Sequence, residues 1–286
     1  MKVAVYGNSR QHEYARPLGD FFELLHNGGA EIVMHSKLYR TLVREVAASL
    51  GGVTRVVDDG GAFTADIALS IGGDGAFLRT AMWVGDKEIP ILGINTGHLG
   101  FLAAASIDEL PQVAREVLSG TFRTQRRNLL QVLVPELGTP PYALNEVAFS
   151  KDDSASMIEA ETKINGNYLA TYRADGLVVS TPTGSTAYNL SAGGPVVHPD
   201  APVWVISPVA AHALGMRPMV VSDDSSIDVS VEVRSGSFRL ALDGRSVSLP
   251  AGTQVAVARA PFAVRLVCRG GHDFFSTLRD KLSWSL

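Results

Sequence analysis

Hydrophobic positions in the first hundred residues alternate between short continuous runs and groups at helical spacing. The continuous runs, which predict buried strands, lie at 3–6, 31–35, 67–71 and 90–94. Between them apolar residues recur every three or four positions, which predicts helices, and the Gly-Gly pairs at 28–29 and 51–52 end two of these. Strands that alternate with helices indicate a parallel sheet with helices on its faces. We therefore expect an α/β domain with a Rossmann-like sheet over residues 1–105.

After about residue 120 the pattern changes to short β-type runs separated by turn signals. Asn165-Gly166 lies between two of these runs and is a strong hairpin signal. The pattern predicts an all-β, sandwich-like domain of two packed sheets over residues 120–268. Phe275, Leu278 and Leu282 then recur at helical spacing, so we expect a C-terminal helix within 269–286 that packs on the first domain.

The composition narrows the class of protein. With 46% hydrophobic and 19% charged residues, the 286-residue chain is globular rather than disordered. The net charge of −4 at pH 7 makes nucleic acid an unfavourable partner. Cys268 is the single cysteine, which excludes an intramolecular disulfide and suits a reducing compartment. Because no apolar stretch approaches the ~20 residues of a membrane helix, we expect a cytoplasmic protein without a membrane partner.

Three glycines surround an aspartate directly after the predicted strand at 67–71. Gly72, Gly73 and Gly75 permit backbone angles and a close ligand approach that side chains would prevent. The helix that follows presents N–H groups to an anion, and Asp74 at its start is placed to take a proton from a hydroxyl. The alternative interpretation is a tight strand-to-helix turn in which Asp74 caps the helix.

Other phosphate and hydrolase motifs are missing from the sequence. No lysine follows a glycine, so there is no P-loop, and a dinucleotide fingerprint read from Gly73 breaks at Leu78. Gly-x-Ser-x-Gly and His-x-x-x-His do not occur either, which removes support for a serine hydrolase or a zinc site. The glycine loop around Asp74 is therefore the feature on which a phosphate site depends.

Polar segments elsewhere offer further candidate contacts. Asn145-Glu146 combines an amide with a carboxylate, which suits sugar hydroxyls, although a solvated turn is the alternative. Residues 173–194 join hydroxyls and glycines to Tyr188, which suits hydrogen bonding and stacking on a purine unless the segment merely turns the chain. Asp243-Gly244-Arg245 indicates a hairpin turn or the wall of a nucleotide pocket. His98 is either a ligand contact or a buried histidine.

Taken together, these segments resemble the NAD kinase family of prokaryotic type. The matching stretches follow the family's order and lie at Ile71–Leu78, Pro90–Phe101, Asn145-Glu146, Asp175–Val197, Arg217-Pro218, Asp243-Gly244 and Phe275–Trp284. The run Thr-Pro-Thr-Gly-Ser-Thr-Ala-Tyr is highly specific to that family. Gly-Gly-Asp-Gly is shared with phosphofructokinases and with diacylglycerol and sphingosine kinases.

The resemblance implies ATP-dependent phosphorylation of the 2′-hydroxyl of the adenosine ribose of NAD to give NADP, assisted by a divalent metal ion, Mg²⁺, bound with ATP. Asp74 takes the place of the family's general base. The implied contacts to NAD are Asp74, Gly75, Asn145, Glu146, Arg173, Asp175, Thr186, Ala187, Tyr188, Asn189, Leu190, Ser191 and Arg245, the last of which replaces a common glutamine. The implied contacts to the ATP phosphates are Gly72, Gly73, Gly75 and Arg79. The family also implies a homodimer or homotetramer.

Two other functions stay open at the level of the residues. A lipid or sugar kinase would share the glycine loop, although the Thr183–Tyr188 segment argues against it. A non-catalytic pyridine-nucleotide sensor would keep the binding residues without the chemistry, although the intact Asp74 argues against that.

Overall fold

The computed structural model describes residues 1–46, 50–97, 100–135, 137–138, 140–152, 157–270 and 273–284. The chain divides into two compact units. The N-terminal unit comprises Met1–Arg126 together with Val264–Leu286, and the β unit comprises Arg127–Ala263. In the described parts of the chain, no helix has the length and apolar character needed to cross a bilayer.

The N-terminal unit alternates strands and helices. Helices of the chain are α1 (Ala15–Asn27), α2 (Ser36–Val46), α3 (Asp74–Val84), α4 (Leu110–Ser119), the short α5 (Tyr188–Ser191) of the β unit, and α6 (Phe274–Leu282). Strands of the N-terminal unit are β1 (Lys2–Gly7), β2 (Glu31–His35), β3 (Val53–Val57), β4 (Ile67–Ile71), β5 (Ile91–Asn95) and β6 (Ala105–Ser106). Single 3₁₀ turns occupy Ser9–Tyr14, Gly85–Lys87, Ile107–Glu109 and Thr183–Thr186.

The parallel sheet of the N-terminal unit has the strand order β3-β2-β1-β4-β5. Every residue of β4 and β5 is buried, as expected for central strands covered on both faces. The order reverses between β1 and β4, where Gly7 lies opposite Ile71. The carboxyl ends of strands at such a switch point are where α/β sheets bind their ligands. The glycine loop after β4 therefore lies at the favoured position for a ligand.

Strands of the β unit form two antiparallel sheets around one core. They are β7 (Arg123–Leu133), β8 (Tyr142–Ala143), β9 (Glu146–Lys151), β10 (Ile158–Ile164), β11 (Asn167–Ala174), β12 (Gly176–Ser180), β13 (Val203–Val209), β14 (Met219–Ser222), β15 (Ile227–Glu232), β16 (Ser237–Leu242), β17 (Arg245–Pro250) and β18 (Gln254–Cys268). One sheet contains β11-β10-β15-β18 and the other β14-β13-β12-β9-β16-β17. Phe149 and Trp204 of the second sheet share a core with Ile158 and Val229 of the first. An α/β unit and an all-β unit confirm the predicted fold class.

The structure also corrects details of the predicted elements. The hydrophobic pattern does not identify β3 or β14, because both are sheet-edge strands that expose most of their residues. The apolar runs at 254–258 and 263–267 read as two separate strands by their pattern but form the single strand β18, which passes through the exposed Pro261. Asn165 and Gly166 both have positive φ, at 50° and 78°, and join β10 to β11 as the predicted hairpin.

Arg269 ties the chain after β18 to helix α4 inside the N-terminal unit. Its side chain is 10% exposed. Its Nε lies 2.7 Å from Glu116 Oε2, and its Nη1 lies 2.8 Å from Glu109 Oε1 and donates to the Ala104 carbonyl at 3.1 Å. The hydrogen bond from Arg269 lowers the pKa of the Glu116 carboxyl. A guanidinium that binds two carboxylates in this way fixes the return of the chain to the first unit.

We expect Arg269→Met to reduce the free energy of unfolding by about 1–2 kcal/mol at pH 7, because it leaves two half-buried carboxylates without their partner. Since the Glu116 pKa is lowered on folding, this stabilisation exists at neutral pH and disappears as the pH falls through that pKa. Urea unfolding at pH 7 and pH 3 measures both effects. Arg265→Met, which removes a more exposed pair with Glu88, is the control. An equal loss in both variants would contradict the assignment.

Candidate active site

Two glycines carry the chain from β4 into α3. Gly72 has a φ of +135°, a conformation that side chains rarely adopt, and its N–H donates to the Ile94 carbonyl at 2.9 Å. Gly73 caps the helix in an extended conformation. No described atom comes within 4 Å of a Cβ built on Gly73, so the backbone of the loop is open. This open backbone at the N-terminus of α3 is a suitable site for an anion.

The Asp74 carboxylate is held by the loop after β5. Oδ2 accepts the Phe101 N–H at 3.0 Å, and Oδ1 accepts the Leu102 N–H at 3.1 Å. Gly100 makes room for it, because a Cβ there would lie 2.0 Å from Oδ1. Gly73 occupies the N-cap position, so the alternative of Asp74 as a simple helix cap is not realised. Two N–H groups use two of about four lone-pair positions on a carboxylate, which leaves acceptor capacity for a ligand.

Charged side chains lie near the carboxyl ends of neighbouring strands. Arg79, one turn into α3 from the loop, hydrogen-bonds the hydroxyl of Tyr6 on β1. Burial raises the pKa of that hydroxyl, and the positive charges of Lys37 and Arg79 oppose the rise. Asp59 lies 3.0 Å from His35 Nε2 and 2.9 Å from Lys37 Nζ. Arg79 therefore adds positive charge close to the glycine loop.

The β unit holds an amide and a carboxyl group that each have one buried oxygen without a hydrogen-bond partner among the described residues. Asn145 and Glu146 lie where the chain enters β9. Asn145 is 9% exposed, and both its Oδ1 and Glu146 Oε2 are buried without a hydrogen bond. Leaving a buried polar atom unpaired costs about 1–3 kcal/mol, so such a pair is typical of a site that a ligand completes.

The carboxyl group of Glu146 has a strongly raised pKa. Burial and the nearby charge of Asp243 raise the pKa of its carboxyl to about 7, while a hydrogen bond from the Tyr188 N–H opposes the rise. That bond joins the Asn145-Glu146 pair to helix α5. The Tyr188 side chain is 41% exposed, so its ring remains available for contact. The structure thus brings together three of the predicted residues.

Other predicted contacts have different surroundings. The Asn189 side chain is fully buried, and its amide donates to the carbonyls of Ser185 and Pro195, both at 3.1 Å, and accepts from Ser207 at 2.7 Å. The polar atoms of the Asn189 side chain are thus all used inside the unit, which leaves its backbone for the predicted contact with a dinucleotide. Arg245 likewise donates to the Pro140 and Tyr142 carbonyls.

Arg173 and Asp175 lie away from the Asn145-Glu146 pair. In the β9–β12 ladder Ser180 pairs with Glu146, whereas Gly176 pairs with Ser150. Four residues of strand separate these pairs, which corresponds to about 13 Å. Arg173 forms an exposed ion pair with Glu159 at 3.1 Å, and Asp175 forms one with Lys151 at 2.7 Å. The predicted contacts therefore do not form one cluster within the β unit. His98 lies outside the described residues.

Asp243, which the sequence indicates as part of a hairpin turn or a pocket wall, makes contacts that the sequence pattern did not reveal. Its carboxylate accepts the backbone N–H groups of Leu144, Asn145 and Glu146 at 2.7, 2.8 and 3.2 Å. The only local signal was the hairpin turn Asp243-Gly244, which gives no indication of a partner almost a hundred residues away.

A glycine loop at a helix N-terminus that presents a carboxylate is suited to binding phosphate beside a hydroxyl group, which is the chemistry of a kinase. Comparison with known proteins defines the family. The model of the ATP-NAD kinase N-terminal domain matches residues 7–122, and that of the ATP-NAD kinase C-terminal domain matches residues 144–268.

Relatives with the same domain pair cover almost the whole chain. The NAD kinase of Bacteroides fragilis (strain ATCC 25285) is 44% identical over 286 residues, which is 99% of this chain and 98% of that protein. The NAD kinase of Porphyromonas gingivalis (strain ATCC 33277) is 39% identical over 285 residues, with the same two coverages. The chain belongs to the NAD kinase family.

Solved structures show the same architecture. An NAD kinase from Archaeoglobus fulgidus in complex with ATP superposes with a TM-score of 0.75 at 26% identity and covers 99% of both chains. Yeast NADH kinase complexed with NADH superposes with a TM-score of 0.84 at 22% identity, covering 99% of this chain and 88% of that one. The second likeness supports the fold alone.

We expect Gly100→Ala to destabilise the protein by about 1–3 kcal/mol, because the added Cβ would displace the Asp74 carboxylate from two N–H donors. Gly97→Ala, in the same loop, is the matched control, since no described atom lies within 4 Å of its Cβ. Thermal unfolding of both variants measures the difference. If Gly100→Ala were as stable as the control, the packing of Asp74 against Gly100 would be incorrect.

Glu146→Gln should stabilise the protein at high pH. Folding raises the pKa of this carboxyl from 4.5 to about 7. The protein is therefore most stable below pH 4.5, where the carboxyl is protonated in both states, and it loses free energy of unfolding as the pH rises towards 7. A neutral glutamine avoids this loss, and we expect a gain on the order of 3 kcal/mol at pH 8 and little at pH 4. Urea unfolding at both pH values tests this, with Glu23→Gln on the exposed face of α1 as the control. A gain of equal size at both pH values would contradict the assigned cause.

Proposed function

We propose that this protein transfers the γ-phosphoryl group of ATP to the 2′-hydroxyl of the adenosine ribose of NAD, forming NADP and ADP. The observation that carries the proposal is the Asp74 carboxylate, held by two backbone N–H groups beside an open glycine loop at the switch point of a parallel sheet. Membership of the NAD kinase family and the likeness to an NAD kinase in complex with ATP support it.

In this reaction Asp74 acts as the general base. Its carboxylate accepts the proton of the 2′-hydroxyl while that oxygen forms a bond to the γ-phosphorus, and the bond from the phosphorus to the β–γ bridging oxygen breaks, so that ADP leaves. Phosphoryl transfer depends mainly on positioning and on stabilisation of charge. The backbone of Gly72, Gly73 and Gly75 and the guanidinium of Arg79 supply that stabilisation.

A magnesium ion fits the donor set of this loop when it arrives on ATP. No group of three His, Cys, Asp or Glu side chains that could hold a metal occurs in the described part of the chain. Mg²⁺ commonly keeps its waters and binds through phosphates with one or two carboxylates. Residues 72–75, with Asp74 as their carboxylate, would hold it through the phosphates. The ion would neutralise negative charge on the transferring group.

The β unit binds the dinucleotide. Two buried oxygens, Asn145 Oδ1 and Glu146 Oε2, accept hydrogen bonds from hydroxyl groups of a ribose. Neither oxygen has a partner among the described residues. The half-exposed Tyr188 ring packs on a base. The remaining residues of the segment contribute through backbone and small side chains, namely Thr186, Ala187, Leu190 and Ser191. Asn189 fixes the shape of that segment from within.

Arg173 and Asp175 contact the dinucleotide in an assembly rather than in a single chain. Asp175 precedes Gly176, which pairs with a residue about 13 Å along the strand from Glu146, and Arg173 lies on β11. A homodimer or homotetramer in which a neighbouring subunit contributes these residues accounts for their position. Arg245 supports the site through the backbone carbonyls that it binds. We place the enzyme in the cytoplasm, because a chain whose single cysteine cannot form an intramolecular disulfide suits a reducing compartment.

We expect Asp74→Asn to lower kcat by about 10²–10⁴-fold while NAD binding changes little, because the variant loses the base but keeps the shape of the side chain. Chromatography of NADP formed from NAD, ATP and Mg²⁺ measures kcat, and calorimetry measures NAD binding. Asp86→Asn, in the 3₁₀ turn after α3, is the control and should retain activity.

An unchanged kcat in Asp74→Asn would remove the assigned role. If the unaltered protein bound NAD but formed no NADP, the chain would be a sensor rather than a kinase. If it instead phosphorylated a lipid or a free sugar, the kinase class would stand and the proposed acceptor would be wrong.

A further inference from the structure

The Asp243 carboxylate binds a continuous stretch of backbone. Oδ2 accepts the Leu144 N–H at 2.7 Å, and Oδ1 accepts the N–H groups of Asn145 and Glu146 at 2.8 and 3.2 Å. In return the Asp243 N–H donates to the Glu146 carbonyl at 3.2 Å. Hydrogen bonds to an ionised acceptor are about twice as strong as neutral ones. This one side chain therefore sets the backbone conformation from which Asn145 and Glu146 project.

Asp243 can do this because of the turn that carries it. It follows β16 with a φ of 48°, and Gly244 follows with a φ of 79° before β17 begins. Two successive positive φ values are those of a tight hairpin turn, a conformation that aspartate and glycine tolerate best. Leu242 and Arg245 pair across the turn and end a ladder of six residue pairs between β16 and β17. This ladder fixes the position of the turn.

Arg245, which follows the turn at the start of β17, binds the backbone that precedes residue 144. Arg245 donates to the Pro140 carbonyl at 2.8 Å and to the Tyr142 carbonyl. One hairpin thus binds carbonyl groups at 140 and 142 and N–H groups at 144, 145 and 146. The functional oxygens Asn145 Oδ1 and Glu146 Oε2 have no hydrogen bond of their own among the described residues. Their direction is therefore set by the backbone, and the backbone by the hairpin.

The charge of Asp243 also affects the ionisation of the Glu146 carboxyl. The Asp243 carboxylate acts electrostatically on the Glu146 carboxyl, Arg245 acts on Asp243, and the Tyr188 N–H of α5 donates to Glu146. The negative charge of Asp243 raises the pKa of Glu146, in addition to the larger effect of burial. Loss of that charge would make the ionised form of Glu146 less costly and lower its pKa.

We infer that Asp243 is a positioning residue, which aims the Asn145-Glu146 pair at the dinucleotide through three backbone hydrogen bonds. As far as the ligand is concerned, this inference rests on the proposed function. Asp243 itself uses both carboxylate oxygens on the protein backbone, so it acts on binding rather than on the transferring phosphoryl group.

The test uses Asp243→Asn, which keeps the size and turn preference of the side chain but removes its charge and turns one acceptor into a donor. Asn165→Ala is the matched control. Asn165 occupies the same position in the other tight hairpin of the β unit, with a φ of 50°, and its Oδ1 accepts a single N–H, from Ser226 at 2.9 Å. Each variant removes a hydrogen-bond acceptor from a hairpin turn, but only Asp243→Asn affects the Asn145-Glu146 backbone.

The expected result for Asp243→Asn is a rise of about tenfold or more in KM for NAD, with kcat within about threefold of the unaltered enzyme, because ground-state and transition-state binding are weakened together. KM should rise as the pH falls through the pKa of Glu146, and this rise should move to lower pH by about one unit in the variant. Asn165→Ala should show neither change. If Asp243→Asn kept the KM and pH profile of the unaltered enzyme, or if the control reproduced its changes, the inference would be overturned.

A second measurement separates this inference from the proposed function and needs no substrate. Amide hydrogen exchange at residues 144–146 should become about tenfold faster or more in Asp243→Asn and stay unchanged in Asn165→Ala. Unchanged exchange overturns the inference even if the enzyme makes NADP, whereas faster exchange in a protein that makes no NADP overturns only the proposed function. If Asp243→Asn does not fold, Asp243→Glu keeps the charge and displaces the oxygens. It should then raise KM while the pH profile stays in place, and an unchanged KM would contradict the inference.

Discussion

In each of the two units, a carboxylate that accepts backbone N–H groups from a distant segment organises the candidate functional residues. The Asp74 carboxylate accepts hydrogen bonds from the N–H groups of Phe101 and Leu102. The Asp243 carboxylate accepts them from three consecutive N–H groups that begin at Leu144. Such bonds are charge-assisted, and they join rigid backbone rather than flexible side chains. Each carboxylate therefore fixes a loop while that loop fixes the carboxylate, and the functional groups gain a defined direction before any ligand arrives.

This arrangement is maintained at a cost in stability. Glu146 is buried beside another acid, and two buried oxygens of the Asn145-Glu146 pair remain unsatisfied among the described residues. Groups of this kind oppose folding, and proteins retain them where a ligand needs them. The surrounding β unit compensates with a large apolar core that contains Trp204 and Phe238, both fully buried. Binding of a ligand that supplies the missing partners would recover part of the lost stability.

Local sequence patterns predicted the frame of the molecule and part of the site. Strand β4 and the glycine loop follow from a buried run that ends in glycines, and Asp74 from its place among them. Contacts between residues far apart in sequence leave no such pattern, which is why the role of Asp243 was missed. The burial of the Asn189 side chain left no local signal for a related reason, since polar residues of Gly- and Ser-rich segments are usually exposed, whereas the fold buries this one with a hydrogen bond from Ser207.

The central claim is that the carboxylate at position 74 directs phosphoryl transfer to one particular hydroxyl of NAD. Phosphorus NMR of the product formed from NAD, ATP and Mg²⁺ by the purified protein tests this most directly. The account predicts a new phosphomonoester resonance coupled to the 2′ proton of the adenosine ribose. A phosphate on the nicotinamide ribose, or on the 3′ oxygen, would contradict the account, as would the absence of any phosphorylated dinucleotide.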